Sequence, residues 1–218
     1  MQHFPYGLIR GNPYIEGMDK TTQSIIVPIR SLGPSHRGRI AQHLLALDAH
    51  DRYLRFGYPA TEEQIRRYTD SLNFERDDIY GIYNRKLTLI AMAHVAFSDN
   101  PEQARHAEFG VSVLKTARSR GYGARLFDRA VMHARNEGVS LMYIHALSEN
   151  TAMLKIARNA GATVERDGSE SEAHVVLPSA TLTTRLTEMV EDQVAEVDYG
   201  IKRQAKNLQN FLADLQGS

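Results

Sequence analysis

Hydrophobic residues recur along most of the chain with the periods of strands and helices, and this pattern divides it into three parts. Residues 1–23 are rich in Gly, Pro and polar residues without a clear period, which predicts an N-terminal arm. Residues 24–177 alternate strand-like and helix-like segments, which predicts one folded domain. From 178 to 218 the apolar residues settle into steps of three and four, which predicts one long helix with a heptad-like seam.

Within the middle part, alternating or β-branched segments predict strands, and apolar residues three and four positions apart predict helices. Strands are expected at 24–30, 78–83, 87–97, 105–114, 140–147, 162–166 and 173–177, and helices at 36–50, 62–71, 124–136 and 150–160. The order β-α-α-β-β-β-α-β-α-β-β indicates an α/β fold of the α+β kind, with helices on the faces of a mixed sheet. A long C-terminal helix follows it.

Two glycines, Gly121 and Gly123, stand between a predicted strand and a predicted helix. Glycine lets the backbone approach a ligand closely, and the first N–H groups of a helix have no partner within it. These groups and the positive end of the helix dipole bind phosphate oxygens. We therefore expect a pyrophosphate-carrying ligand on residues 118–125. A plain strand–helix turn would show the same two glycines, so that alternative stays open at this point.

Composition excludes several classes of function. The 218 residues include 42% hydrophobic residues, enough for a core, and no cysteine, so no disulfide or thiolate metal site is expected. Nine histidines show no metal-binding spacing, and no metal is expected. Twenty-six basic and twenty-six acidic residues balance, so nucleic acid is not an expected partner. Without an apolar run of membrane length or a signal-peptide pattern at the start, no membrane partner and a cytoplasmic location are predicted.

The spacing of the glycine loop separates three kinds of phosphate site. The Walker string Gly-x4-Gly-Lys-Ser/Thr does not occur, and the third glycine of a Rossmann fingerprint is replaced by Leu126. The loop does fit Arg/Gln-x-x-Gly-x-Gly/Ala, as Arg118-x-x-Gly121-x-Gly123. This string resembles the acetyl-CoA pyrophosphate loop of the GCN5-related N-acetyltransferase (GNAT) superfamily, and residues 24–177 resemble its fold. Three further strings look closest to its protein-lysine acetyltransferase branch: Arg52-Tyr53-Leu54-Arg55-Phe56, Glu108-Phe109-Gly110-Val111 and Asn150-x-x-Met153-Leu154-x-x-Ala157.

The resemblance implies acetyl-CoA as a co-substrate, with its pantetheine arm in a splay between the fourth and fifth strands. There its amides would pair with the backbone of one strand as an added strand does. Asn150 would hydrogen-bond the cofactor or the backbone, although a helix cap explains it equally well. The expected cofactor-binding residues are Val111, Ser112, Val113, Arg118, Ser119, Arg120, Gly121, Tyr122, Gly123, Ala124 and Asn150.

Acetyl transfer to an amine requires the neutral amine, so a carboxylate must remove a proton from the ammonium. The resemblance and this chemistry point to Glu108, although a strand glutamate that pairs with Arg105 or with the solvent is the plain alternative. Relatives place a tyrosine, as an acid for the departing thiolate, where this chain has Ala157; Tyr143, Ser148 or water would have to replace it. The predicted function is an acetyl-CoA-dependent N-acetyltransferase acting on a primary amine, a protein lysine or a small molecule. A catalytically inactive acyl-CoA sensor that signals through the C-terminal helix is the alternative.

Two further predictions concern partners. Tyr53, Arg55 and Phe56 are expected to line the entrance for the amine acceptor, although a packed corner between two helices fits them equally well. The seam of the helix spanning 180–215 cannot be buried against itself, so it either pairs two copies of the chain or packs along the domain. A homodimer is the preferred prediction.

Overall fold

The computed structural model describes residues 27–98 and 105–216. Within them seven strands form one mixed sheet in the order β1-β2-β3-β4-β5-β7-β6. The strands are β1 Arg30–Ser31, β2 Asp78–Tyr83, β3 Leu89–Phe97, β4 His106–Val113, β5 Leu141–Leu147, β6 Thr163–Asp167 and β7 Glu170–Val176. Strands β4 and β5 run parallel, whereas the other pairs of neighbours are antiparallel. The predicted mixed sheet is confirmed.

The described residues form one more α-helix before the second strand than the sequence predicted. The helices are α1 Arg37–Leu45, α2 Ala49–Phe56, α3 Glu62–Ser71, α4 Tyr122–Asn136, α5 Thr151–Asn159 and α6 Leu182–Gln216. The prediction of a single helix at 36–50 is wrong, because Asp48 caps a new helix by accepting a hydrogen bond from the Asp51 amide. Helix α2 then continues to Phe56 and ends at Gly57, whose φ of 78° favours glycine. The order is therefore β-α-α-α-β-β-β-α-β-α-β-β, followed by α6.

The first strand is shorter than predicted. Of the expected strand 24–30, residues 24–26 lie outside the described part of the chain, as does the predicted arm 1–23. Val27 and Ile29 pack against the core without strand structure, and β1 begins at Arg30. Pro28 has no N–H group for a strand ladder, which is why the β-branched residues around it do not extend β1.

Helices cover the two faces of the sheet unequally. One face packs against α4 and α5, where the rings of Phe109 and Phe127 meet edge to face at 5.0 Å. The other face packs against α1 and α3 through Ile40, Leu44 and Ile65. That cover does not reach β7, where Val176 is 74% exposed. The second face is therefore open at the C-terminal half of the sheet.

Helix α6 runs 35 residues and packs on the domain through polar side chains. Its contacts are Thr184 with Asn136, Glu188 and Asp192 with Arg129, Tyr199 with Arg39, and Lys202 with the Tyr83 carbonyl. Val194 of the predicted seam is half-buried beside Val27 and Arg129. Five other apolar residues of the seam are exposed: Leu186, Val190, Val197, Ile201 and Leu208. No helix among the described residues has the length and hydropathy to cross a bilayer.

Candidate active site

Strands β4 and β5 separate after a short paired stretch. Their parallel register joins His106 to Leu141, Ala107 to Met142 and Glu108 to Tyr143, and goes no further. Strand β4 nevertheless continues to Val113, paired on its other side with β3. One edge of residues 109–113 thus has no neighbouring strand. Such an edge is the place where an extended ligand with amide groups can add as a strand.

A cleft of about 590 Å³ opens at this separation. It is lined by the end of α2, the middle of β4, the end of β5, the start of α5 and the β6–β7 hairpin. Of the residues predicted for cofactor, acceptor and catalysis, the cleft brings together Arg55, Phe56, Glu108, Val111 and Asn150. Tyr53 is half-buried on α2 and does not line it.

The glycine loop leads into α4 as its sequence indicated. Gly121 is the residue before the helix, with a φ of 73°, and no side chain caps the helix there. Ser119 also has a positive φ, 62°. Within the described chain, no acceptor is found for the backbone N–H groups of residues 119–124. These amides are therefore available to an anion at the start of the helix.

Side chains of the loop fix it to its surroundings. The Arg118 guanidinium forms an ion pair with the buried Asp51 on α2, and its Nε donates to the Val113 carbonyl at 3.3 Å. A Cβ on Gly123 would lie 3.1 Å from Ile156 Cδ1, so the close approach of α4 to α5 at this point leaves little room for a side chain. Arg118 thus anchors the loop, while Arg120 is exposed.

Glu108 has an exposed side chain on β4 beside the point where the strands separate. The alternative pairing with Arg105 is not observed, because Arg105 lies 3.7 Å from Glu137 instead. Among the described residues no cationic group lies within ion-pair distance of the Glu108 carboxylate. It is free to accept a proton from a group in the cleft.

The residues considered as an acid are placed differently. Ala157 is fully buried in the core, so α5 offers no hydroxyl there. Ser148 is engaged with the Glu170 carbonyl at 3.0 Å and with Ser171 Oγ at 2.9 Å. Tyr143 stacks on His145 with ring centroids 6.2 Å apart and does not line the cleft. None of the three lies ready in the cleft to protonate a thiolate.

Asn150 caps α5, since its side chain accepts from the Met153 amide at 3.1 Å. Its Nδ2 also reaches the Leu54 carbonyl of α2 at 3.5 Å, which links the two helices that border the cleft. The Asn150 side chain thus forms hydrogen bonds within the protein, as expected if it serves as a helix cap.

A buried histidine and a buried serine, which no sequence motif connects, lie beside the part of β4 whose edge has no neighbouring strand. His43 Nε2 is 2.8 Å from Ser112 Oγ, and His43 Nδ1 is 2.9 Å from the Leu89 carbonyl. Burial and the nearby Arg55 lower the pKa of His43 to about 4, against the effect of these hydrogen bonds. His43 is therefore neutral, and the Ser112 side chain is turned toward α1; only its backbone remains for a cofactor.

A second group of polar residues reaches the cleft through Arg55. The Arg55 guanidinium donates to Tyr68 Oη at 3.0 Å, and Tyr68 Oη lies 2.8 Å from His94 Nδ1. His94 Nε2 lies 3.1 Å from the buried Asp77 carboxylate. Burial and Arg55 lower the pKa of His94, and the hydrogen bond to Asp77 opposes them. Tyr68 and Asp77 come from separate parts of the chain, so no local motif marked them.

His145, like His94, lies on a predicted strand. Its side chain is exposed and lines the cleft. Its Nδ1 lies 3.6 Å from Glu172 on the neighbouring strand β7. In the part of the chain that the structure describes, no three His, Asp or Glu side chains are grouped so as to hold a metal ion.

Comparison with known proteins adds independent information. The sequence profile described as the acetyltransferase (GNAT) family matches residues 46–162, more than half of the chain. No curated protein matches in sequence. Among solved structures, the GNAT domain of S. lividans PAT shares 19% identity with a TM-score of 0.59, covering 68% of this chain and 89% of that one.

Two other solved structures show the same fold. A putative phosphinothricin N-acetyltransferase shares 16% identity with a TM-score of 0.56, over 69% of this chain and 98% of that one. RimL, a ribosomal L7/L12 alpha-N-protein acetyltransferase in complex with coenzyme A, shares 16% identity with a TM-score of 0.52, over 68% and 93%. At these identities the similarity establishes the fold.

Proposed function

Because the chain belongs to the acetyltransferase (GNAT) family, we propose that it transfers an acetyl group from acetyl-CoA to a primary amine by direct attack on the thioester. The observation that carries the proposal is the separation of β4 from β5, which opens a cleft lined by Glu108 and Val111. The glycine loop does not line this cleft; its amides, which have no acceptor in the described chain, lie at the start of α4, the helix that follows β4. This function does not require that the chain belong to the protein-lysine acetyltransferase branch of the family.

The cofactor is proposed to lie along the unpaired edge of β4. The amides of residues 119–124, without an acceptor in the described chain, would bind the diphosphate. The pantetheine amides would pair with the backbone of Val111, Ser112 and Val113 as an added strand. The ion pair between Arg118 and Asp51 would hold the loop in place for this contact. Asn150 would support it by fixing α5 to α2.

Chemistry is proposed to start at Glu108. Its carboxylate takes a proton from the acceptor ammonium, directly or through water, and the neutral amine attacks the thioester carbonyl. A new C–N bond forms, and the negative charge on the carbonyl oxygen is stabilised by a backbone N–H near Val111. The C–S bond then breaks. Since thiols ionise near pH 8.5, the thiolate is a tolerable leaving group that water can protonate in place of the tyrosine that Ala157 replaces.

The experiment measures thiol release from acetyl-CoA with a panel of amines. Glu108→Gln should lower kcat by about 10²- to 10⁴-fold while leaving CoA binding intact. Glu75→Gln, at an exposed glutamate outside the cleft, is the matched control and should keep full activity. If Glu108→Gln is as active as the control, Glu108 is not the base.

Binding of CoA is measured separately by thermal unfolding. A ligand at a hundredfold excess over Kd stabilises the folded state by about 2.7 kcal/mol, which gives an easily measured shift. A shift without turnover of any amine would favour the acyl-CoA sensor. No shift with CoA would refute the cofactor site altogether.

We further propose that α6 pairs two copies of the chain. It contacts its own domain through polar residues and leaves Val190, Val197 and Ile201 each more than 60% exposed. Apolar residues at heptad spacing are buried when two such helices pair. Sedimentation should therefore show a dimer, and Ile201→Glu should shift it to monomer, whereas Gln209→Glu, at an exposed polar position off the seam, should not. Monomeric wild-type protein at micromolar concentration would contradict the pairing.

A further inference from the structure

Arg55 stands at the wall of the cleft with almost all of its hydrogen-bonding capacity unused. It lies in the last turn of α2, and its guanidinium covers Gly110 so closely that a Cβ there would be 2.9 Å from Arg55 Cζ. The rings of Phe56 and Tyr68 lie 5.3 and 5.6 Å from it. Its Nε is buried without a partner, and Tyr68 Oη is the only acceptor found for it among the described residues.

Arg55 is half-buried, and a cation that is partly withdrawn from water is normally paired, because its desolvation is otherwise unfavourable. Arg129, buried elsewhere in the domain, shows the usual arrangement, with Glu188 at 2.8 Å and Asp192 at 2.6 Å. Arg55 has no carboxylate within ion-pair distance in the described chain. The C-terminal end of α2 and the two ring faces stabilise its charge, but they leave its N–H donors unsatisfied. An anion that enters the cleft would complete this site.

We propose that Arg55 binds the carboxylate of the acceptor and that the acceptor is an α-amino acid. This inference rests on the proposed function. Glu108 and Gly110 are two residues apart on β4, so their side-chain positions lie on one face about 6.6 Å apart. An acceptor with its carboxylate at Arg55 and its ammonium toward Glu108 needs the two groups close together, as in an α-amino acid, where both are bonded to the same carbon. A lysine side chain within a protein has no carboxylate in this position.

Other groups of the cleft agree with this orientation. The β6–β7 hairpin supplies carboxylates on the far wall: Glu165, Asp167, Glu170 and Glu172. They repel an acceptor carboxylate and attract its ammonium. The other arginine of the cleft, Arg166, is exposed and lies between two of these acids in sequence. Arg55 is thus the favoured place for an anion.

Tyr68 is a positioning residue in this arrangement. Its Oη accepts from Arg55 and donates to His94 Nδ1, which requires His94 to carry its proton on Nε2, facing Asp77. The chain of hydrogen bonds holds the guanidinium over Gly110 in one orientation. Tyr68→Phe should therefore raise KM for the α-amino acid more than it lowers kcat.

The test compares standard L-amino acids with their carboxamides, which keep the amine and lose the negative charge. Thermal shifts are measured with CoA present, and turnover is measured by thiol release. We expect at least one amino acid to bind and react at least tenfold better than its amide, as charge-assisted hydrogen bonds of a carboxylate predict. Arg55→Gln should abolish that difference, and Arg55→Lys, which keeps the charge, should retain part of it. Arg67→Gln, the same change at an exposed surface arginine, should leave it intact.

Each outcome is decisive. If wild-type protein binds and turns over amino acids and their amides equally well, the inference is wrong. It is also wrong if Arg166→Gln abolishes the preference for amino acids over amides while Arg55→Gln keeps it. Turnover of simple amines without carboxylate preference would leave the proposed function standing and the inference wrong. Binding of an amino acid that depends on Arg55 without any turnover would support the carboxylate site while refuting the transferase. An unchanged CoA shift in Arg55→Gln confirms that the variant is folded.

Discussion

Glu188 is a half-buried carboxylate that joins α6 to three side chains of α4. It lies 2.8 Å from Arg129 and also contacts His133 and Asn136, and its side chain is 13% exposed. Glu188→Ala leaves the Arg129 guanidinium, 2% exposed, with only Asp192 as a counter-ion. Breaking a buried pair by removal of one partner costs about 3–5 kcal/mol. We expect about 3 kcal/mol, because Asp192 and the Asp78 partner of His133 remain.

Denaturant unfolding followed by circular dichroism measures this loss. A change of about 3 kcal/mol corresponds to roughly 6–12 °C in the melting temperature of a chain of this size. Gln193→Ala is the control, since it truncates a side chain of similar size at an exposed position of the same helix and should stay within about 0.5 kcal/mol. Alanine favours helix, so a loss at position 188 reports the contacts and not helix propensity. If the two variants unfold within about 1 kcal/mol of each other, the ionic cluster does not hold α6 in place.

Three further predictions follow from the same geometry. Burial opposes protonation of His133, but hydrogen bonds to two carboxylates outweigh it and raise the pKa of His133 from 6.5 to about 10. The protonated His133 therefore stabilises the fold fully below pH 6.5, and this stabilisation is lost as the pH rises through about 10. The free energies of unfolding at pH 6 and pH 10 should consequently differ less in His133→Gln than in the wild type. Asp51→Asn removes the ion pair of Arg118 and should raise the Kd for CoA about three- to tenfold by calorimetry, and an unchanged Kd would show that the loop needs no such anchor. Gly110→Ala places a methyl group 2.9 Å from Arg55 Cζ and should displace the guanidinium, so the preference for α-amino acids over their amides should disappear in the thermal-shift assay.

Local sequence patterns predicted the parts of the molecule whose causes are local. The glycine loop was recognised because Gly121 and Gly123 lie at a fixed distance from the strand before them and the helix after them, and the structure places a positive φ at Gly121. The capping pair of Thr61 and Gln64 likewise set the start of α3. The break between α1 and α2 was missed, because apolar residues continue at helical spacing across Asp48 and the cap outweighs them.

The candidate site combines residues that the sequence marked with others that it did not. Glu108 and Arg55 were predicted from the family resemblance, and both line the cleft. Tyr68, Asp77 and His43 were not, because each acts through a partner far away in the chain. A tyrosine, an aspartate or a histidine at such a position does not by its residue type show that it belongs to the site.

The amino-acid sequence by itself determined most of the order of strands and helices, the position of the glycine loop before α4 and the apolar seam of α6, because periodicity and turn chemistry act between residues close in the chain. The tertiary structure alone decided where β4 parts from β5, that Arg55 lies over Gly110 without a counter-ion among the described residues, and that α6 contacts α4 through Glu188 with most of its described seam exposed. These features depend on register and on contacts between distant segments. Such contacts form only when the whole chain has folded.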